Sequence, residues 1–231
     1  MKQFTGILLA VMLLCGINNA FAKTEDRHLS GFNAISLSGS YDVYITQGNT
    51  ESVKVEAPDD EIERIVTEVQ NGVLKIYTKK GSWNWSWSNK KVAVYVNIKT
   101  VNSLGISGSG NVYFKEGINA DALKVRVSGS GDVYGKLSVK TLEAIVSGSG
   151  DIKVSGHADN ATVSVSGSGD YTARDLATVG TTIRVSGSGD ATVNASQKLE
   201  AAVSGSGDIR YTGGASQVTT SAHGSGEIHR M

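Results

Sequence analysis

The residues best placed to do chemistry are acids that follow a recurring Ser-Gly-Ser-Gly string. The string begins at Ser107, Ser128, Ser147, Ser166, Ser186 and Ser204, and a degenerate copy begins at His223. The starts are 21, 19, 19, 20, 18 and 19 residues apart. The acid or amide that follows each copy is Asn111, Asp132, Asp151, Asp170, Asp190, Asp208 or Glu227. If the copies stack as neighbouring strands, these side chains form a column with a spacing of ~4.8 Å.

A column of carboxylates at that spacing must be compensated, because each neighbouring pair repels by roughly 0.9 kcal/mol even in bulk water. A bound cation such as Ca²⁺ is one compensation, since carboxylate and serine oxygens are hard ligands. Backbone N–H groups donated to each aspartate at a turn are the other. The nine-residue Gly-Gly-x-Gly-x-Asp signature of calcium-binding repeats is absent. We therefore predict a structural column and no cofactor, with Ca²⁺ as the alternative.

Three tryptophans, Trp83, Trp85 and Trp87, form the second candidate site. Alternate residues of an extended strand share one face, so the three indoles would point the same way. If exposed, they suit a sugar or a protein partner, for which Trp is a favoured anchor. If buried, they would cover an end of the fold or pack in a dimer. The sequence leaves both interpretations open.

Catalysis and nucleic-acid binding are disfavoured. The outward basic residues of the repeats are Arg126, Lys153, Arg184 and Arg210, and His28, His157, His223 and His229 show no metal-ligand spacing. A catalytic site needs one asymmetric constellation, whereas these repeats resemble one another. Lys and Arg total 22 against 22 Asp and Glu, without a basic stripe among the aromatics. We expect no enzyme, no catalytic residue, no metal site and no nucleic-acid partner.

The intervals between the copies predict the fold. Apolar residues alternate on both sides of each copy, as in Leu142, Ala144 and Val146 before it and Ile152 and Val154 after it. Alternation with period two indicates strands with one buried face. The glycines are then predicted to face inward, admitting the opposite wall or a corner, with serines and aspartates outward. A unit of about 19 residues gives a contour of roughly 63 Å, enough for one closed turn. We predict an all-β protein, a right-handed parallel β-helix, with an antiparallel stack or β-prism as the alternative.

The N-terminal third is predicted to form a β-rich cap and the first rung. Residues 38–42 read Ser-Gly-Ser-Tyr-Asp, a degenerate copy of the motif. Pro58 and the acids after it predict a short helix near residues 62–66. Asn71-Gly72 predicts a type I′ hairpin, and residues 53–57 and 91–98 read as strands. The predicted divisions are 1–22, a signal peptide; 23–105, the cap and first rung; and 106–231, the repeat solenoid.

The first 22 residues have the features of a secretory signal peptide. Lys2 gives a positive start, residues 7–14 an apolar core, and Ala20-Phe21-Ala22 a cleavage site. That core is roughly half the ~20 residues that span a bilayer, so we expect no transmembrane segment after cleavage. Lipoprotein processing at Cys15 is disfavoured, since Leu14 before it is not small. Export is predicted, with periplasm and cell surface both open.

These residues resemble a known family. The segments Phe32-Asn33-Ala34-Ile35, 41–45 and 71–76, together with the serial Ser-Gly copies, are similar to the auto-transporter adhesin head domain, also called the GIN domain. The resemblance covers about Phe32 to Met231. It implies a β-helical envelope or surface protein of a Gram-negative bacterium.

The sequence thus favours a non-catalytic exported envelope protein that presents a rigid β-solenoid surface for binding or adhesion to a glycan or a protein. The first alternative is a structural or scaffolding protein with no dedicated ligand, and a polysaccharide-active enzyme is the third. Uncovered sheet edges also make an oligomer a reasonable expectation.

Overall fold

The structure is a computed structural model that describes residues 22–79 and 92–231. The predicted signal peptide, apart from Ala22, and the tryptophans Trp83, Trp85 and Trp87 lie outside the described residues. Within those residues the chain forms sixteen strands and one four-residue helix. In chain order the first elements are β1 Ala22–Asp26, β2 Ala34–Ser38, β3 Asp42–Gln47, β4 Ser52–Pro58, α1 Asp59–Ile62, β5 Ile65–Gln70, β6 Val73–Thr78, β7 Ala93–Ile98 and β8 Ser103–Ile106. The repeats follow as β9 Val112–Val127, β10 Val133–Val146, β11 Ile152–Val165, β12 Tyr171–Val185, β13 Ala191–Gly205, β14 Ile209–Thr212, β15 Gln217–Gly224 and β16 Ile228–Arg230.

The repeat region is a parallel β-solenoid. Each of the five long strands, β9 to β13, lies parallel to the next, so that Val133 faces Val112 on one side and Ile152 on the other. The same register carries Ile152 to Tyr171 and Tyr171 to Ala191. Rungs of about 19 residues therefore stack with equivalent residues aligned, and the predicted fold is confirmed.

One core runs through the stack. Along β10 the buried residues are Val133, Leu137, Val139, Leu142, Ala144 and Val146, and all belong to a single hydrophobic cluster. Because residues at the start, middle and end of one strand enter the same core, the strand must bend around it. Alternating side chains then point outward.

The motif glycines have a different purpose from the predicted one. A Cβ at Gly131 would lie 1.9 Å from the carbonyl oxygen of Gly110, and one at Gly150 would lie 2.0 Å from that of Gly131. The missing side chain therefore admits the backbone of the preceding rung, not the opposite wall. Each carbonyl of the first motif glycine in turn accepts two bonds: the N–H groups of Ser149 and Gly150 donate to the Gly129 oxygen at 3.0 and 3.1 Å.

The N-terminal third continues the solenoid in an unexpected order. β2 and β3 pair in parallel with β8 and β9, so they form the rung before the repeats. β6 and β7 pair in parallel with the other edges of β2 and β3 and form the rung beyond. The outermost rung thus comes second in the sequence.

Antiparallel strands cover that end. β4 pairs with β7, β1 with β4, and β5 with β6. The predicted cap with its helix and hairpin is present here, while the boundary at residues 105 and 106 stays a prediction.

Two local predictions have different outcomes. The hairpin is confirmed: Asn71 and Gly72 have φ values of 52° and 76°, as a type I′ turn requires, and Gln70 faces Val73. The helix begins at the predicted start after Pro58, but its predicted continuation to residue 66 was wrong, because α1 spans Asp59–Ile62 and strand β5 already begins at Ile65. Acids in the first turn favour the early start, and the β-branched run from Ile65 favours a strand.

Candidate binding face

The acidic column predicted from the repeats is a continuous ladder of side-chain to backbone hydrogen bonds. The Asp151 N–H donates to Asp132 Oδ1 at 2.8 Å, and the Asp170 N–H donates to Asp151 Oδ1 at 2.8 Å. The same bond recurs from Asn111 through Glu227. We call these residues, with Asp42 at their start, the aspartate ladder. Its N–H donors come from the next rung, so each carboxylate joins two turns of the chain.

The two ends of the aspartate ladder show which atoms it needs. Asn111 accepts the Asp132 N–H through Oδ1 at 3.0 Å, while its Nδ2 donates to Asp42 Oδ1 at 3.0 Å. One amide oxygen is therefore enough for the inter-rung bond. At the other end Glu227 lies 2.9 Å from His229 Nε2 instead.

The second carboxylate oxygens have partners in two places. The Tyr134 hydroxyl donates to Asp132 Oδ2 at 2.9 Å. Arg210 donates to Asp190 Oδ2 and Asp208 Oδ2 at 3.0 and 3.1 Å. Within residues 22–79 and 92–231 no three His, Cys, Asp or Glu side chains group as a metal site. A chelation experiment distinguishes the predicted structural role of the aspartate ladder from its alternative, calcium binding.

The predicted basic residues do not gather into one site. Arg210 bridges two acids of the aspartate ladder, as described above. In the strand register Arg126 lies opposite Ile145, and Arg184 lies opposite Ser164. Their strand neighbours are therefore apolar or neutral residues.

Beside the aspartate ladder lies a stack of four tyrosines that the sequence analysis missed. In spatial order they are Tyr95, Tyr44, Tyr113 and Tyr134, and we call them the tyrosine ladder. Neighbouring ring centroids are 5.4, 5.1 and 5.5 Å apart, with interplanar angles of 19°, 15° and 10°. A signal was present, since Asp-Val-Tyr or Asn-Val-Tyr occurs at residues 42–44, 111–113 and 132–134.

The tyrosine ladder is open to solvent at its N-terminal end, where Tyr95 is 42% and Tyr44 36% exposed. Nearly parallel offset rings cover part of each other's faces and leave edges and hydroxyls outward. The Tyr95 hydroxyl donates to Glu56 Oε2 at 3.1 Å. The hydrogen bond to Asp132, followed by burial, raises the pKa of Tyr134 to about 12. Burial raises the pKa of Tyr95 and of Tyr113 as well. These three phenols therefore stay neutral donors at ordinary pH.

The residues that stack in register with the tyrosines are polar or basic in later rungs. Tyr134 faces Lys153, which faces Thr172. Thr192 and Arg210 follow in the same register. One face of the solenoid is thus aromatic over four rungs and polar or basic over the rest.

Most differences in repeat length are absorbed at one corner next to this face, and a further register shift lies between Thr178 and Gly180. The strand registers shift between Gly135 and Leu137, between Lys153 and Gly156, and between Thr172 and Ala177. We call residues 114–118, 135–137, 154–156 and 173–176 the variable corner. An open groove of about 370 Å³ lies there, and its lining includes Lys115, Tyr134, Lys136, Lys153, Arg174 and Asp175. We call it the basic groove.

Most of the chain matches a known protein family. Residues 31–215 match the profile of the family described as "Putative auto-transporter adhesin, head GIN domain". The chain belongs to this GIN-domain family. Membership carries the expectation of an envelope or surface protein with an adhesin-like role.

Solved structures share the GIN-domain fold. A "putative adhesin" from Bacteroides fragilis is 26% identical with a TM-score of 0.87, covering 91% of this chain and 97% of its own. Two proteins from Parabacteroides distasonis, described as a "putative adhesin" and a "putative lipid binding protein", are 25% and 26% identical with TM-scores of 0.74 and 0.72. Each covers 92% of this chain and 98% of its own.

A search of curated proteins gives no match. Among the described residues, no helix has the length and apolar character needed to cross a bilayer.

Proposed function

We propose that this GIN-domain chain is a non-catalytic exported envelope protein that displays a rigid solenoid face for binding or adhesion. The tyrosine ladder is the observation that carries the proposal. Tyrosine combines a large apolar ring with a polar hydroxyl and is enriched where proteins bind partners. Here four such rings form a single strip along one face, with its exposed end at Tyr95 and Tyr44.

The neighbouring carboxylates extend the chemistry of that strip. Asp42 and Asp132 lie two residues before Tyr44 and Tyr134, so acceptors and phenolic donors alternate on the same face. The hydroxyl groups of a sugar can both donate to the carboxylates and accept from the phenols. Inter-rung hydrogen bonds hold these groups in fixed positions, which lowers the ordering cost of binding. A glycan or a protein surface is the ligand class proposed.

Trp83, Trp85 and Trp87 remain a predicted second contact set. They lie in the sequence between β6, which ends at Thr78, and β7, which carries Tyr95. Substituting Trp85 by Ala tests their role: loss of binding with unchanged stability favours contact with ligand, whereas a loss of several kcal/mol favours packing.

The scaffold alternative is favoured by a different observation. The Tyr95 hydroxyl already donates to Glu56 and so joins β7 to β4, and the Tyr134 hydroxyl donates to Asp132 within its own rung, so part of the tyrosine ladder serves the fold itself. A scaffold would need these bonds and no ligand.

The deciding experiment is a glycan array together with a cell-binding assay, using the double variant Tyr44→Ala and Tyr95→Ala. Val218→Ala is the matched control, because Val218 is 41% exposed in β15 at the other end of the solenoid. The proposal predicts that wild type and control bind, while the double variant loses binding and still gives the circular dichroism spectrum of a folded protein. Equal binding by all three, or none by wild type, favours the scaffold.

Protease treatment of intact cells tests the predicted location. Digestion at the cell surface is expected for an adhesin. Full protection until the outer membrane is opened would restrict the protein to periplasmic partners.

A further inference from the structure

The basic groove collects one cation from each of four consecutive rungs. Lys115 comes from β9, Lys136 from β10, Lys153 from β11 and Arg174 from β12, and all four are exposed. At ~4.8 Å per rung, the four cations extend over roughly 14 Å along the solenoid axis. They form a band and not a single column, because Lys153 lies opposite Tyr134 whereas Lys136 lies opposite Ser155. A band of this length matches a linear ligand with repeated anionic groups better than a single small anion.

These four cations differ from lysines elsewhere on the same strands. Lys124 lies 2.7 Å from Glu143, and Lys140 lies 2.7 Å from Asp121, each pair bridging two rungs. None of the groove cations has an ion pair with another described residue. Asp175 is the one carboxylate in the groove lining, so four cations and one acid give the groove a net charge of +3. The whole chain has a net charge of 0, so the positive potential is local.

The floor and wall of the basic groove suit a sugar ring. Gly135 lines the groove, and its missing Cβ makes room for the buried Phe114 ring, from which a Cβ would lie only 2.0 Å away. Val154, which is almost fully buried, also belongs to the lining. Tyr134, the last ring of the tyrosine ladder, forms part of the wall. Ligand sites commonly combine apolar walls with a few placed polar groups in this way.

We propose that the basic groove binds an acidic glycan, with carboxylate or sulfate groups of successive sugars contacting Lys115, Lys136, Lys153 and Arg174. This inference rests on the proposed function and names its ligand class. Nucleic acid is a poorer match, because the tyrosine rings stack on one another and leave little face for bases.

The test compares the double variant Lys136→Gln and Lys153→Gln with the matched double variant Lys124→Gln and Lys140→Gln. Both remove two positive charges from exposed strand positions, and the control breaks only surface ion pairs, which contribute little to stability. Binding is measured by calorimetry against polygalacturonate, chondroitin sulfate, dextran and inorganic polyphosphate. We expect wild type and control to bind an acidic glycan, and the groove variant to bind it at least about tenfold more weakly. Added salt should weaken wild-type binding more than that of the groove variant.

The other outcomes have different consequences for this inference and for the proposed function. Equal affinity of both double variants for the acidic glycans, or binding of polyphosphate alone, overturns the inference. Binding of dextran but of neither acidic glycan overturns it too, while leaving the proposed function intact if the Tyr44→Ala and Tyr95→Ala variant loses that binding. Absence of binding to all four polymers overturns the inference; the proposed function then falls as well if the glycan array and cells are also not bound.

Discussion

The first copy of the motif differs from the later copies at one instructive position. Residues 38–41 read Ser-Gly-Ser-Tyr, whereas residues 107–110 read Ser-Gly-Ser-Gly. A Cβ at Gly110 would lie 2.1 Å from the carbonyl oxygen of Tyr41 in the rung below. Tyr41 stands in the first copy of the motif along the chain, and its hydroxyl bonds to Thr78 Oγ1. The second glycine is thus required by a preceding copy of the motif and not by the turn itself.

Comparing the copies also shows that the motif backbone is constant whereas the outward side chains beside it vary. Motif backbones repeat the same inter-rung bonds from Gly39 to Gly226. The outward column beside them changes from Tyr44 and Tyr113 to Thr172 and Arg210. Packing against the adjacent rung restricts the first set of residues, whereas solvent leaves the second set free to specify a ligand.

The largest expected effect comes from adding a methyl group to a motif glycine. A Cβ at Gly148 would lie 2.0 Å from the Gly129 carbonyl oxygen, which cannot move without separating two rungs. Gly148→Ala should lower the free energy of unfolding by about 3 kcal/mol or more. Among the residues that the structure describes, a Cβ at Gly39 would meet the Tyr41 ring, at 2.6 Å, and no backbone atom, so Gly39→Ala should cost less.

Gly105→Ala is the baseline, because the nearest atom to its Cβ would be 3.9 Å away. Chemical denaturation of the three variants provides the measurement. Equal losses at Gly148, Gly39 and Gly105 would show that the comparison between first and later copies has no steric basis.

The second prediction tests whether an amide can replace a carboxylate as the hydrogen-bond acceptor in the aspartate ladder. Asp151→Ala removes the acceptor of the Asp170 N–H and should cost about 1–3 kcal/mol. Asp151→Asn keeps the oxygen, as Asn111 does naturally, and should change stability by less than about 0.5 kcal/mol. Thermal melting distinguishes the two substitutions, and a large loss in Asp151→Asn would instead assign the negative charge a role.

A third effect concerns the core of one later rung. Tyr171 occupies a position that is Val112, Val133 and Ile152 in the preceding rungs. Its hydroxyl is buried without a hydrogen-bond partner, and burial raises its pKa. Tyr171→Phe should therefore increase the free energy of unfolding by about 1 kcal/mol. A decrease of similar size, measured by denaturation, would mean that the hydroxyl is satisfied.

The fourth effect is confined to alkaline pH. The pKa of Tyr134 is about 12 in the folded protein, against about 10 for ordinary tyrosine. Folding therefore favours the protonated phenol: its contribution to stability is complete below about pH 10 and is lost as the pH rises toward 12. Absorbance titration of wild type minus Tyr134→Phe should show one phenol ionising near pH 12. A midpoint near pH 10 would contradict the hydrogen bond to Asp132.

The last prediction concerns metal removal, for which no change in stability is expected. If backbone N–H groups compensate the aspartate ladder, a chelator should leave the melting temperature of wild type unchanged. A large fall, restored by added Ca²⁺ and absent in Asp151→Asn, would assign the later rungs a cation that the first rungs lack.

The sequence predicted the solenoid well because a repeat of about 19 residues with alternating apolar positions leaves few other ways to bury them. It did not predict that β6 and β7 lie outside β2 and β3, since periodicity specifies the faces of a strand but not its neighbours. The purpose of the glycines was also missed. Strand parity assigned Gly131 to the interior, whereas the missing Cβ makes room for the carbonyl oxygen of Gly110.

The candidate site was predicted in part. The aspartate ladder followed from spacing alone, although the identity of its donors required coordinates. The tyrosine ladder was overlooked because the recurrence of a tyrosine two residues after the motif's acid or amide, at Tyr44, Tyr113 and Tyr134, was not recognised as part of the repeat. The basic groove was hidden because insertions at the variable corner look like irregular spacing until registers are known.

The order of the N-terminal rungs has a consequence for how the molecule is assembled. The hairpin and outer rung are complete by Ile98, and they present β2 and β3 with a free edge before the first intact motif has been synthesised. Each later turn of chain can then pair with an edge that is already formed, and we expect the N-terminal rungs to act as a seed from which the stack grows. Shortening the far end by whole turns should leave a smaller folded protein, whereas deleting the seed should leave the remaining repeats without a surface on which to start.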